Sequence, residues 1–382
     1  MITSISLENF KCFRRADAIP LSQITLLTGS NGRGKSSLFQ AMLLLAQSTS
    51  TGNKIEHLKF NGRFVALGTF EDVLHRYTEN GMFAIELTSD DAYENRVKFV
   101  CEQDLSTSRK AQFRHFYALN RQGEIDDLME QVGDSSESTD EADSSSNKVM
   151  QATSSVTLLG QLSNVLYVSA DRQGPTSYVE QCDNEDIDPV GIHGEYAINT
   201  LCDKQALLEA VKTDLSYVMG GASLSASELN DDYIKLLIDS KDGQDGFKPV
   251  NVGFGYSYVL PIIVASHMAE LNSKIFIENP EAHLHPGAQS RLTDVLIRMA
   301  KQKNLQLFVE THSDHVINAL RIAVKYRIES LDKAEASIIH ITRDSTEKEP
   351  HIWPITINEK GDLSEYPKDF QEEWGLQLIK LL

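Results

Sequence analysis

Apolar and polar residues recur along this chain with two different periods. A period of two, or a short unbroken apolar run, predicts strands over 2–10, 24–27, 82–88, 96–102, 112–120, 165–170, 274–278, 306–310, 337–342 and 351–356. A period near 3.6 predicts helices over 37–47, 195–220, 258–271, 289–301 and 316–326. Residues 11–15 are predicted to form a turn. Strands that alternate with helices are typical of an α/β fold with a mostly parallel sheet.

The strands between 82 and 120 follow one another without a helix, which predicts an antiparallel β subdomain beside the parallel core. At 382 residues the chain exceeds the size at which one core usually stops growing, so we expect several lobes. The first lobe is predicted over 1–130 and the last over 251–382. A disordered linker is expected over 131–155, because 133–147 is acidic and rich in serine, and a helical insertion over 156–250.

The stretch from Gly29 to Ser37 has the G-x-x-x-x-G-K-[ST] spacing of a phosphate-binding loop, between a predicted strand and a predicted helix. Its glycines allow tight turns, so backbone N–H groups can converge on phosphate oxygens at the positive end of the helix. Lys35 adds a positive charge, and Ser36 offers a hydroxyl to Mg²⁺, which prefers oxygen ligands. The residues predicted to bind the nucleotide here are Asn31, Gly32, Arg33, Gly34, Lys35, Ser36 and Ser37.

The second half of the chain places further polar residues beside predicted strands and helices. The segment from Asn251 to Ser257 contains small residues and begins a helix, whose free N–H groups can hold a phosphate. An apolar strand ends at Glu278 and is followed by Asn279 and Glu281. The sequence therefore predicts a second group of candidate site residues at the ends of these elements.

Composition limits the partners that we expect. The net charge of -19 gives no support for nucleic-acid binding, although a local basic groove remains compatible with an acidic average. The four cysteines lie far apart without a C-x-x-C pair, which indicates reduced thiols rather than a zinc site. Because the chain has neither a long apolar run nor a signal pattern, we expect a cytoplasmic protein without a membrane partner.

These motifs, in this order and over nearly the whole chain, resemble those of the ABC-type ATPases of the RecF, SMC and OLD kind, in the short prokaryotic form found near anti-phage defence genes. The resemblance implies a P-loop NTPase fold of the ABC-ATPase type, with ATP and Mg²⁺ as cofactors. It implies that 9–13 lies near the adenine and that Glu278 is the Walker B acid, which binds Mg²⁺ together with Ser36.

The same resemblance implies the roles of residues in the last lobe. The segment from Gly253 to Ser257 takes the place of the signature motif, so that Gly253, Gly255 and Ser257 would contact the ATP of a second subunit. Residues 283–286 take the place of the D-loop, and His312 that of the switch histidine. Arg172 is expected to approach ATP across the dimer.

One departure from the family pattern concerns the catalytic base. Family members commonly have a Glu after the Walker B acid, whereas this chain has Asn279. An Asn can orient water but cannot take its proton, so hydrolysis is expected to be slow. Glu281 is the first candidate for a substitute base and Glu310 the second. The predicted catalytic residues are thus Glu281, Asn279 and His312, and a nucleotide-gated clamp that barely hydrolyses ATP stays open as an alternative.

The resemblance implies a head-to-tail homodimer or higher homo-oligomer whose closure on ATP regulates a separate effector, such as a nuclease, in anti-phage defence. A DNA repair or maintenance ATPase of the RecF type is one alternative. A scaffold that binds ATP without hydrolysing it is another, and Asn279 favours it. A metal cluster could also be formed by the histidines and acids of this region, namely His283, His285, His312, His315, Glu278 and Glu281.

Overall fold

The computed structural model describes residues 1–49, 55–90, 94–120, 125–127, 157–182, 188–240, 246–343, 349–367, 369–370 and 379–381. The predicted linker over 131–155 lies outside these residues. The chain divides into two compact units, and each is assembled from separate segments. The first unit comprises Met1–Ser22, Gly29–Val165 and Ile339–Pro354, and the second comprises Gln23–Thr28, Leu166–Ile338 and Ile355–Leu382.

The described strands are, in chain order, β1 (Ile2–Phe10), β2 (Phe13–Pro20), β3 (Ile24–Thr28), β4 (Leu58–Lys59), β5 (Phe83–Ser89), β6 (Glu94–Gln103), β7 (Lys110–Asn120), β8 (Ile125–Asp127), β9 (Val165–Val168), β10 (Val179–Glu180), β11 (Ser223–Asn230), β12 (Tyr233–Asp239), β13 (Lys274–Glu278), β14 (Gln306–Glu310), β15 (Ala336–Thr342) and β16 (His351–Thr356). The described helices are α1 (Lys35–Ser48), α2 (Phe70–Val73), α3 (Thr157–Gly160), α4 (Ala197–Asp203), α5 (Gln205–Met219), α6 (Phe254–Met268), α7 (Pro286–Lys303) and α8 (Asp314–Tyr326). Single 3₁₀ turns occur at Pro249–Asn251, Ile328–Ser330 and Lys333–Glu335. Within the described residues, no helix is both long enough and apolar enough to cross a membrane.

A seven-stranded antiparallel sheet lies in the first unit. Its strand order is β2-β1-β5-β6-β7-β4, and β8 pairs with β7. This sheet confirms the predicted antiparallel subdomain. The predicted turn over 11–15 is too long, because β2 already begins at Phe13, which is buried and pairs with Phe10. Arg14 and Arg15 of β2 are both exposed, so this strand does not alternate strictly between buried and exposed residues.

The parallel core has its central strands in the second unit. The six-stranded sheet has the order β16-β15-β3-β14-β13-β9. Strands β3, β14 and β13 run parallel, with Leu27 opposite Glu310 and Glu310 opposite Glu278. Nearly every residue of these three strands is buried, as expected for a parallel sheet covered on both faces. Their carboxyl ends therefore lie at one edge of the sheet, which is where ligands usually bind in open α/β sheets.

Two predicted helices differ from those observed. The helix predicted over 195–220 is divided into α4 and α5 at Lys204, whose backbone is not helical. The helix predicted from 258 begins four residues earlier, at Phe254, because Gly253 is its N-cap in extended conformation. The signature-like segment therefore forms the first turn of α6 and does not precede it.

The predicted helical insertion also contains strands that the sequence analysis missed. Strands β10, β12 and β11 form a three-stranded antiparallel sheet. Strand β12 buries every second residue, whereas β11 buries only Leu224. In the sequence of β11, Leu224 and Ala226 alternate with serines only briefly before Glu228 interrupts the pattern, so the apolar signal is too short to predict this strand.

Candidate functional site

The phosphate loop follows β3 directly, at the point where the chain passes from the second unit to the first. Gly29, Gly32 and Gly34 all have positive φ, which favours glycine. A Cβ on Gly29 would lie 2.1 Å from the carbonyl oxygen of Ile341, and one on Gly34 would lie 2.7 Å from Sγ of Cys12. Neither position can accept a side chain without a shift of its neighbours. Around Gly32, in contrast, no atom lies within 4 Å of such a Cβ.

Lys35 is the first residue of α1 and is only 3% exposed. Its Nζ donates hydrogen bonds to the carbonyl oxygens of Gly29, at 2.8 Å, and Ser30, at 3.1 Å. The ammonium group therefore lies within the loop. Asn31 and Gly32 are exposed, and Arg33, Ser36 and Ser37 are half-buried. The loop thus brings together the seven residues predicted from the sequence.

The turn between β1 and β2 contacts the start of α1. Cys12 Sγ lies 3.8 Å from the Ser37 hydroxyl, and Lys11 Nζ donates a hydrogen bond of 2.5 Å to Gln40. Burial raises the pKa of the Cys12 thiol, and burial lowers the pKa of Lys11. The thiol is therefore a poor nucleophile near neutral pH. That 9–13 lies near the adenine stays a prediction.

Glu278 ends β13 with an oriented carboxylate. Its Oε2 accepts a hydrogen bond of 3.2 Å from the backbone N–H of Ala170. It also hydrogen-bonds the hydroxyl of Tyr167, and burial together with the charge of Glu278 raises the pKa of that hydroxyl above its usual value. Tyr167 therefore remains a hydrogen-bond donor at neutral pH. Glu310, on the neighbouring strand, is 7% exposed, so two carboxylates end adjacent strands.

Asn279 has an unusual backbone and an unusual side chain. Its φ of 45° lies in the left-handed region, and its N–H donates to the carbonyl oxygen of Glu310 at 2.8 Å. Asn is one of the few residues that adopt this conformation readily. Its buried Oδ1 accepts no hydrogen bond from the residues that the structure describes. A buried acceptor in this state indicates a place for a water molecule or a ligand donor.

Glu281 connects two loops of the second unit. Its Oε2 accepts a hydrogen bond of 2.8 Å from the Thr311 hydroxyl, and its Oε1 accepts one of 2.8 Å from the backbone N–H of His312. The carboxylate thus holds the segment after β13 against the loop that precedes α8. His312 itself has an exposed side chain. The sequence paired Glu281 and His312 only as candidates; the structure brings them into direct contact.

The three residues of the signature-like segment have different surroundings. Gly253 is exposed, with no atom within 4 Å of an added Cβ. Gly255 is buried, and its Cβ would lie 2.7 Å from the carbonyl oxygen of His283. Ser257 lines a cavity of about 30 Å³ together with Thr176 and Pro261. Only Gly253 therefore offers an open backbone at the N-terminus of α6.

The histidines of this region serve the local packing. His283 has a φ of 61°, and its ring lies 4.4 Å from that of Tyr258. His285 is the N-cap of α7. Within the described part of the chain, no three His, Cys, Asp or Glu side chains are grouped to hold a metal ion. The alternative metal cluster of His283, His285, His312 and His315 with the two acids thus finds no support in this geometry.

Arg172 is 2% exposed, and its described hydrogen bonds go to backbone carbonyl oxygens of its own unit. That Arg172 approaches ATP across a dimer stays a prediction. Two basic residues of the first sheet have ion-pair partners: Arg96 pairs with Glu86, and Lys98 pairs with Glu8. Arg14, in contrast, is exposed on β2.

Comparison with solved structures identifies the fold. A structure described as the SmcHead bound to the C-winged helix domain of ScpA matches with a TM-score of 0.51 and 12% identity, covering 94% of this chain and 98% of that one. The SMC head domain from Thermotoga maritima matches with a TM-score of 0.47, 14% identity, and 92% and 98% coverage. The Smc head with an extended coiled coil bound to the C-terminal domain of ScpA from Pyrococcus furiosus matches with a TM-score of 0.48, 12% identity, and 100% and 98% coverage. At such low identity, the first match shows the fold alone, that of an ABC-type ATPase head.

No curated protein was found to match the sequence. A family model does match, over residues 24–318, and its description is "AAA domain, putative AbiEii toxin, Type IV TA system". The matched residues begin in β3, immediately before the phosphate loop, and end in α8 after His312. They make up more than half of the chain and include every residue predicted above to be catalytic, to bind the phosphates or to bind Mg²⁺. The chain therefore belongs to this family of AAA domains, and it has the fold of the ABC- and SMC-like ATPases.

Proposed function

We propose that this protein binds Mg·ATP through the loop over 29–37 and hydrolyses it slowly. The observation that carries the proposal is the position of Lys35, whose ammonium group lies within a glycine loop at the N-terminus of a long helix. Phosphate oxygens would replace the loop carbonyls as partners of this charge, and the helix N-terminus adds favourable backbone N–H groups. The open space at Gly32 leaves room for a phosphate beside the loop.

Ser36 and Glu278 are the proposed ligands of Mg²⁺. Both supply the oxygen atoms that this ion prefers, and the ion would neutralise charge on the phosphates. Glu278 is held by donors from Ala170 and Tyr167, as expected for a carboxylate that must keep one orientation.

Slow hydrolysis is proposed because neither Asn279 nor Glu281 is suited to act as a strong base. The buried Oδ1 of Asn279 can accept a hydrogen bond from a water molecule but cannot accept its proton. Both oxygens of Glu281 already accept hydrogen bonds, which favours a role in positioning His312. Glu310 remains as an alternative base at the same edge of the sheet. A clamp that binds ATP and barely hydrolyses it is the limiting case of this proposal.

The proposal includes a head-to-tail dimer that closes on ATP and regulates a separate effector in anti-phage defence. The exposed Gly253 at the N-terminus of the 15-residue α6 is suited to contact a phosphate bound by a second copy. The family description, which names a toxin of a toxin–antitoxin system, supports a link to an effector. A RecF-like DNA repair role receives less support, because the net charge of -19 does not favour binding to nucleic acid.

Nucleotide binding and phosphate release by wild type and Lys35→Ala test the proposal. Charged hydrogen bonds contribute about 1.5–3 kcal/mol, so we expect Lys35→Ala to weaken ATP binding by roughly 10- to 100-fold. The matched control is Lys59→Ala, which removes an exposed lysine of the same unit and should bind ATP as wild type does. Equal ATP affinity in wild type and Lys35→Ala would contradict the proposed site. Binding without any phosphate release would leave only the non-hydrolysing scaffold.

A further inference from the structure

Arg172 is a buried cation in the loop after β9, and all its described hydrogen bonds go to backbone carbonyl groups. Nη1 donates to the carbonyl oxygens of Ser169, at 2.9 Å, and Glu278, at 2.7 Å. Nη2 donates to the carbonyl oxygen of Asn279, at 2.6 Å. One guanidinium group therefore holds both Glu278, which ends β13, and Asn279, which follows it. An arginine donates these bonds from two nitrogens in a planar fork, whereas all the donors of a lysine lie on a single nitrogen.

Burying this charge has a cost, which indicates that the position matters. Burial lowers the pKa of Arg172 to about 10, although Glu281, Tyr258 and Glu278 oppose the shift. Its Nε is buried and donates no hydrogen bond to the described residues. A buried donor without a partner destabilises the folded state. The three carbonyl bonds must offset this cost.

The consequence of these bonds is a rigid backbone around Asn279. Arg172 holds the carbonyl groups on both sides of the Asn279 N–Cα–C unit, and the Glu310 carbonyl holds its N–H. These contacts account for the persistence of the left-handed φ at Asn279, since such a conformation needs support from its surroundings. They also determine where the amide of Asn279 and the carboxylate of Glu278 lie.

Arg172 also contacts the helix that carries the signature-like segment. Its guanidinium carbon lies 5.4 Å from the ring centre of Tyr258 in α6, within the range of a cation–π interaction. The Tyr258 ring packs against His283, and the His283 ring lies 5.5 Å from that of Phe254. A continuous series of contacts therefore joins the exposed start of α6 to the end of β13.

We propose that Arg172 is a positioning residue for the ATPase reaction: it keeps Glu278 and Asn279 in place through their carbonyl groups, and Tyr258 keeps Arg172 in place. The inference rests on the proposed function, because it assigns Arg172 to that reaction. A residue with this role should affect kcat and leave ATP binding nearly unchanged, since its described hydrogen bonds go to the carbonyl groups of Ser169, Glu278 and Asn279.

The test compares kcat, KM and ATP affinity in wild type, Arg172→Lys and Arg172→Met. We expect kcat to fall roughly tenfold or more in both variants, because small displacements of catalytic groups are costly, while KM and the Kd for ATP change by less than about twofold. The matched control is Arg321→Met, which removes another arginine that donates to a backbone carbonyl, that of Gly361. This control should keep the kcat of wild type.

Tyr258 provides a second pair of variants in case the Arg172 variants do not fold. Tyr258→Phe retains the ring and should keep kcat near the wild-type value, whereas Tyr258→Leu removes the ring and should lower kcat without weakening ATP binding. Unchanged kcat in folded Arg172→Lys and Arg172→Met, or in Tyr258→Leu where those do not fold, would overturn the inference and leave the proposed function intact. Absence of phosphate release in wild type would overturn both.

Discussion

Asn279 occupies a backbone conformation that few residues adopt without strain. Its φ of 45° costs an ordinary L-residue about 1–2 kcal/mol, whereas Asn and Gly are affected least. The chain therefore has a structural reason to keep Asn at this position, independent of any chemistry. A Glu in its place would introduce a carboxylate and backbone strain at once, whereas a Gly would remove the amide without adding strain. Comparing the two variants therefore separates the effect of the backbone from that of the side chain.

We predict that Asn279→Glu lowers the free energy of unfolding by about 1 kcal/mol, and that Asn279→Gly does not. Urea unfolding followed by circular dichroism measures both. If the left-handed backbone is the reason for the Asn, the Gly variant should be at least as stable as wild type while losing the amide that orients water. A Glu variant as stable as wild type would show that the backbone at 279 is not strained.

The motifs of the candidate site are easier to recognise in the sequence than the contacts that hold its residues. The glycine spacing of the phosphate loop is a local pattern, so it was visible without a structure. The bonds from Arg172 to the carbonyl groups of Glu278 and Asn279 join residues more than 100 positions apart, at separations of 106 and 107. No local pattern encodes such a contact, so the partners of Arg172 could not be read from the sequence.

At the scale of elements, the close packing of α6 against the segment before α7 restricts which residues can occupy position 255. Gly253 and Gly255 both lie in the signature-like segment, but their surroundings differ. A Cβ added to Gly255 would lie 2.7 Å from the carbonyl oxygen of His283, whereas one added to Gly253 would have no atom within 4 Å. The helix therefore approaches this segment as closely as a glycine allows. Backbone groups resist displacement, so a side chain at 255 must push the two elements apart.

We predict that Gly255→Ala destabilises the protein by about 1–3 kcal/mol, the usual cost of overpacking. Gly253→Ala is the matched control, because its φ of -63° suits any residue and its surroundings are open, so we expect a change within about 0.5 kcal/mol. Denaturant titration of the three proteins gives both values. Equal loss of stability in the two variants would show that the contact with His283 is not the cause.

Element types were predicted more reliably than element boundaries. Helix α6 was predicted to start at 258, because the apolar period begins there, whereas the start is set by the extended backbone of Gly253. The hairpin of β11 and β12 was missed, since β11 has a polar sequence and gains its place by pairing with β12. Capping and pairing partners decide such positions, and neither shows in hydrophobic periodicity.

At the scale of the whole molecule, the order of the motifs was sufficient to identify the fold. The family model and the SMC head match support the ATPase core that the motifs implied. The division into units was not foreseen, because each unit combines segments from distant parts of the chain. A net charge of -19 adds a general repulsion between copies, so any dimer must depend on specific local contacts.

The exposed start of α6 is the local contact that the proposed dimer requires. We predict that Mg·ATP doubles the mass of wild type in light scattering, and that Phe254→Asp abolishes the doubling. Phe254 is 54% exposed, so its replacement should cost little stability, but a carboxylate at the first turn of α6 would repel a bound phosphate. Tyr326→Asp, at a side chain 69% exposed in α8, is the matched control and should dimerise as wild type does. A wild type of constant mass would exclude the ATP-dependent dimer, and an ATP-dependent dimer of Phe254→Asp would place the interface elsewhere.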